Sequence, residues 1–160
     1  MSVHVVDHPL VGHRLGLMRQ QGISTMLFRA LATEIARFLV AEASKDLPVE
    51  TKLVQGWAEQ VETLGLSGKK PTLGIILRAG IGLLDGALDM FPGAKVSTIG
   101  MYRDEKSLQP VQYYCKLADK LEQRRALMLD PMLATGGTMA DAIDLMKKHG
   151  CRDIKALVLL

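Results

Sequence analysis

Leu127-Met-Leu-Asp-Pro-Met-Leu-Ala-Thr-Gly-Gly-Thr138 decides the reading of this chain. Residues 126–129 are apolar and are closed by Asp130-Pro131, the pattern of a buried strand stopped by a breaker. Pro131 has no N–H to give to a ladder, so the strand ends there. Thr135-Gly136-Gly137-Thr138 supplies two hydroxyls and two residues without Cβ. Such a loop lets successive backbone N–H groups turn inward around an anion. A helical pattern begins at Thr138, and a helix N-terminus adds donors and a favourable dipole. The plain alternative is a strand-to-helix turn with Thr138 as N-cap. The acid at the strand end favours the anion site, because open α/β sheets bind ligands at that edge.

The nine residues Asp130-Pro-Met-Leu-Ala-Thr-Gly-Gly-Thr138 resemble the phosphoribosyl-diphosphate (PRPP) loop of uracil phosphoribosyltransferases. Most of the wider type I phosphoribosyltransferase class has two adjacent acids here; the uracil enzymes resemble this chain in having Pro131 second. The resemblance implies that Asp130, Pro131, Met132, Leu133, Ala134, Thr135, Gly136, Gly137 and Thr138 bind PRPP. The 5′-phosphate would sit in the loop from Ala134 to Thr138, and Asp130 would accept hydrogen bonds from the ribose hydroxyls.

Working outward, Thr72-Leu-Gly-Ile-Ile-Leu77 reads as a buried strand ending in Arg78-Ala79-Gly80-Ile81-Gly82. A charge at the carboxyl end of such a strand is where a ligand contact is expected. The third glycine falls at Gly86, with Asp85 in the place that a dinucleotide-binding fingerprint requires, so a nicotinamide enzyme is the weaker reading. A structural role for Arg78 would be an ion pair with Asp85. The resembling family has the same Leu-Arg-Ala-Gly string. This implies that Arg78 and the Ala79-Gly80 backbone hold the diphosphate, in a loop that often contains a non-proline cis peptide.

Lys95-Val-Ser-Thr-Ile-Gly-Met101 reads as another strand, and residues 102–115 as a two-stranded arm with a mobile tip. The resemblance makes this arm a flexible hood whose Arg103 reaches PRPP, so Asp130 and Arg103 are the candidate catalytic residues. The plain alternative is a solvated cluster in which Arg103 pairs with Asp104 or Glu105.

Residues 1–48 read as a helical cover. Pro9 opens a helix to about Gln20, and Ser24 or Thr25 caps a second one that ends near Ser44. Leu27, Leu31, Ile35, Phe38 and Leu39 form its expected buried stripe. Residues 49–54 and the region of Val61, Leu64 and Leu66 suggest two short paired strands. Helices are expected over 81–90 and 138–149, with Ala142, Leu145 and Met146 inward in the second, and a last strand over 154–160.

The bulk numbers agree with one domain over 1–160: 160 residues, 48% hydrophobic but only 4% aromatic, giving an aliphatic, Met-rich core. A net charge of +3 with no basic stripe suits an anionic small molecule and speaks against nucleic acid. The run 73–84 is broken by Arg78, so no membrane span is expected. Cys115 and Cys151 lie far apart, and no signal region precedes Pro9, which points to a reduced cytoplasmic protein. The four histidines show no metal-ligand spacing.

The expected fold is therefore α/β: an open, mostly parallel sheet with flanking helices, an N-terminal helical cover and a protruding two-stranded arm. The resemblance implies transfer of phosphoribosyl from PRPP to uracil, giving UMP and diphosphate, with Mg²⁺ bound mainly through PRPP. It also implies a homodimer or higher homo-oligomer and, as in some members, a GTP effector. The rival reading is a nucleotide-sensing regulatory module of the same class. The family's later segment, which completes the sheet and reads the uracil edge, has no match in residues 1–160, so only the PRPP half of the site is expected here.

Overall fold

A computed structural model of the chain describes residues 2–103 and 110–160, apart from the Arg103 side chain. Two helices come first, α1 (Pro9–Met18) and α2 (Thr25–Ala43). Each begins on a side-chain cap: the Leu10 amide donates to His8 Nδ1 at 3.1 Å, and the Leu27 amide to Ser24 Oγ at 3.2 Å. Next is an antiparallel hairpin, β1 (Val49–Gln55) and β2 (Gln60–Leu66). The remaining strands and α-helices are β3 (Thr72–Leu77), α3 (Ile81–Met90), β4 (Lys95–Arg103), β5 (Pro110–Lys116), β6 (Arg125–Leu129), α4 (Gly137–Lys148) and β7 (Asp153–Leu157).

These last five strands form one sheet in the order β5-β4-β3-β6-β7. All neighbours are parallel except β5, which runs antiparallel along β4. The arm read over 102–115 is thus the continuation of β4 and β5 beyond the sheet edge; its tip, 104–109, lies outside the described residues. The separate two-stranded unit is β1–β2.

Strand β6 shows why the sheet is covered on both faces. Leu127 and Leu129 enter one core with Leu73 and Ile75 of β3, Ala32, Ala36 and Val40 of α2, and Leu83 and Ala87 of α3. Ala126 and Met128 point the other way, into a core with Ile76, Ile99 and α4's Met139, Ala142 and Met146. Period-two alternation with both faces apolar is what a central parallel strand requires.

Two sequence expectations shift. The buried stripe of α2 is Leu31, Ala32, Ile35, Ala36, Val40 and Ala43, whereas Leu27 is exposed and Phe38 and Leu39 are half-buried. Small residues go deepest because α3 crosses α2 closely: a Cβ on Gly86 would collide with the Thr33 carbonyl oxygen. The last strand also stops at Leu157, and residues 158–160 leave the ladder to run beneath the loop after β6.

Candidate functional site

The carboxyl ends of β3, β4 and β6 open into a cleft of about 310 Å³. Its walls include Arg78 and Ala79 after β3, Met101 and Tyr102 at the end of β4, and Asp130 with much of the following loop. Strand order alone brings these residues together, since β3 sits between β4 and β6.

The loop after β6 is held from below. The amide of Leu133 donates to the Leu160 carbonyl at 2.8 Å, and the carbonyl of Pro131 accepts from the amides of Leu159 and Leu160 at 3.2 and 3.3 Å. Leu133 also accepts from the Gly136 amide at 2.7 Å, closing a tight turn. That turn needs positive φ at Ala134 (47°) and Gly136 (75°), and only the second is a residue for which this costs nothing. Helix α4 follows with Gly136 as its N-cap and no side-chain capping bond, so Thr138 does not cap it. Among the described residues, the amides of Ala134, Thr135, Gly137, Thr138 and Met139 have no hydrogen-bond acceptor. Five uncommitted donors on one turn and one helix start make an anion cradle, with the helix dipole of the right sign.

Asp130 stands at the lip. It is half-buried, accepts the Met132 amide on Oδ1 at 3.4 Å, and lines the cleft. Burial pushes its carboxyl above the ordinary aspartate range, with the Met132 amide pulling the other way. A carboxylate short of donors at a cleft wall is suited to accept hydrogen bonds from ligand hydroxyls.

Arg78 is exposed and lines the same cleft, and the Leu77–Arg78 peptide is cis. Among the described residues it makes no ion pair, so the link to Asp85 is not formed. Ala79 lines the cleft, but Gly80 does not: its amide donates to the Ile76 carbonyl at 2.8 Å. Gly80 is there for space, since a Cβ would lie 2.5 Å from the Leu129 carbonyl oxygen. Pro131 and Gly136 shape the loop without lining the cleft, and the Arg103 side chain lies outside the described residues.

Five cleft residues were not among the expected site residues: Ile76, Leu77, Met101, Tyr102 and Met139. Tyr102 could have been found from its place at the end of a strand in the same sheet, and Met139 as the third residue of a helix whose start had been located.

A resident metal built from protein ligands is not supported by the donor set. Among the described residues no three His, Cys, Asp or Glu side chains converge, and Asp130 is the cleft's one carboxylate. One carboxylate fits a Mg²⁺ carried by substrate oxygens and water.

The family model described as uracil phosphoribosyltransferase matches residues 5–160. The AQ2163 protein from Aquifex aeolicus is similar at 36% identity with a TM-score of 0.90, over 99% of this chain and 75% of that one. A purine phosphoribosyltransferase from Pyrococcus horikoshii matches at 17% identity and a TM-score of 0.57, over 84% of this chain and 74% of its own. A hypoxanthine-guanine phosphoribosyltransferase from Bacillus anthracis matches at 10% identity and 0.59, over 88% and 69%. The last two likenesses show a shared fold.

Proposed function

The chain belongs to the uracil phosphoribosyltransferase family, and on that premise we propose that it transfers the phosphoribosyl group of PRPP to uracil, giving UMP and diphosphate. The observation that carries the reading is the set of uncommitted amides of Ala134, Thr135, Gly137, Thr138 and Met139 beside the Asp130 carboxylate. In this reading the amides, with the Thr135 and Thr138 hydroxyls, receive the 5′-phosphate, and Asp130 accepts from the ribose hydroxyls. Arg78, the Ala79 backbone and Arg103 receive the diphosphate, for which guanidinium forks are well matched.

Bond breaking at the anomeric carbon develops positive charge on the ribose and negative charge on the departing diphosphate. The protein then has to position the partners and stabilise charge, and needs no strong base. In this reading Asp130 favours the ribosyl cation, and Arg78 and Arg103 the leaving group. Mg²⁺ bound to PRPP would neutralise charge on the diphosphate, and among the described lining residues Asp130 is the carboxylate that would help hold it.

Asp130→Asn and Arg103→Ala are each expected to cut UMP formation at least about tenfold. Near-normal rates in both variants would sink the role assignment. The family resemblance also carries a homo-oligomer and, in some members, a GTP effector. The first is supported by the β1–β2 hairpin, whose Leu53, Leu64 and Trp57 side chains are exposed.

A further inference from the structure

We propose that Tyr102 is a binding residue of the cleft, donating its phenol hydrogen to the diphosphate of PRPP, and that Tyr113 is the positioning residue that aims it. The inference rests on the phosphoribosyl-transfer reading above. Along the carboxyl edge the cleft runs from the amide cradle and Asp130 after β6, past Arg78 after β3, to Tyr102 at the end of β4. Adjacent strands lie about 4.8 Å apart, so β6 to β4 spans roughly 10 Å, comparable with a pentose bearing phosphate at both ends. A ligand with its monophosphate in the cradle and its sugar at Asp130 points its diphosphate across β3 towards Tyr102. A phenol is a neutral O–H donor well suited to an anionic oxygen.

Three features of the β4–β5 edge converge on the Tyr102 ring. The ladder pairs Gly100 with Tyr114 and Met101 with Gln112, which leaves Tyr113 as the extra residue of a bulge. Bulges near a site re-aim the side chains they carry. The Tyr113 ring lies in the space that a side chain at position 100 would fill: a Cβ on Gly100 would be 2.6 and 2.7 Å from two of its ring carbons. Gly100 and Tyr102 share a strand face by alternation, and the rings of Tyr102 and Tyr113 meet with centroids 6.2 Å apart, inclined at 36°. Glycine, bulge and second ring together back Tyr102 at the cleft wall. A cross-strand tyrosine pair serving only to stiffen an edge would require neither the bulge nor the glycine beneath it.

The test is titration calorimetry, in buffer containing Mg²⁺, of PRPP, inorganic diphosphate and ribose 5-phosphate into the protein and its Tyr102→Phe, Tyr113→Ala and Tyr113→Phe variants, with thermal unfolding alongside. Tyr102→Phe is expected to weaken PRPP and diphosphate about tenfold and to leave ribose 5-phosphate and the unfolding temperature unchanged. Tyr113→Ala should reproduce the selective loss, and Tyr113→Phe should restore binding. PRPP and diphosphate affinities unchanged by Tyr102→Phe overturn the phenol contact while leaving the transfer reading intact. Equal weakening of all three ligands by Tyr113→Ala overturns the positioning role. A wild-type protein that binds neither PRPP nor diphosphate overturns both the inference and the reading on which it rests.

Discussion

Two carboxylates at opposite ends of the sheet are pushed in opposite directions by their surroundings. Asp130 is raised by burial in the cleft wall. Asp46, just after α2, accepts from Lys155 Nζ at 2.7 Å and Arg125 Nη1 at 2.5 Å, which hold it down to about 2. The linkage signs differ accordingly. Asp46 binds its proton more weakly folded than unfolded, so its contribution is full above the ordinary aspartate range and is lost as pH falls from about 4 to about 2. Asp130 binds its proton more tightly when folded, so its own contribution favours folding in acid and disappears as pH rises through its raised value. An acid-unfolding midpoint that moves to higher pH in Asp46→Asn is the expected outcome, followed by circular dichroism. In the proposed role Asp130 accepts from ribose hydroxyls more strongly when ionised. We therefore expect KM for PRPP to climb on acidification at a pH above the ordinary carboxylate range, and the climb to be absent in Asp130→Asn.

The pairing of α2 with α3 depends on small side chains rather than on large ones. Ala32, Ala36 and Ala87 are buried there, and Gly86 meets backbone at Thr33. Backbone cannot move aside as the end of a flexible side chain can, so Gly86→Ala must part the two helices. We expect it to destabilise the protein by about 1–3 kcal/mol, read as a lower urea midpoint with an unchanged slope. Element boundaries were largely legible: Pro9 at the start of α1, the cap at Ser24 and the breaker Asp130-Pro131 all carry local chemistry. The buried face of α2 was not, because periodicity weights large apolar residues, while depth of burial here follows how closely another helix approaches. The end of β7 was missed for a similar reason. Val158 to Leu160 are apolar enough to extend a strand, but their backbone is drawn to Pro131 and Leu133.

For the whole molecule, the outstanding surface is the β1–β2 hairpin. Val49, Leu53, Val54, Val61, Leu64 and Leu66 are exposed, with Trp57 fully so near its turn. A two-stranded hairpin with no covered face is marginal alone in water. If the proposed homo-oligomer uses it, Trp57 emission should shift to the blue with rising protein concentration, in step with mass from sedimentation equilibrium. Trp57 is the chain's only tryptophan, so the signal has one source. A red, concentration-independent emission from a protein sedimenting as an oligomer would place the interface elsewhere. Among the described residues no helix is long and apolar enough to cross a membrane.

The sequence by itself determined the α/β class, the positions of most strands and helices, and the loop from Asp130 to Thr138, because each depends on contacts within a few residues: alternation, breakers, caps and glycines. Tertiary structure alone decided which residues become neighbours. The order β5-β4-β3-β6-β7 puts Arg78, Tyr102 and Asp130 on one cleft, and Leu160 ties the Leu133 amide while, among the described residues, those of Ala134, Thr135, Gly137, Thr138 and Met139 stay uncommitted. These relations join residues tens of positions apart, and no local pattern records which distant backbone will arrive to take a hydrogen bond or to fill the space over a glycine.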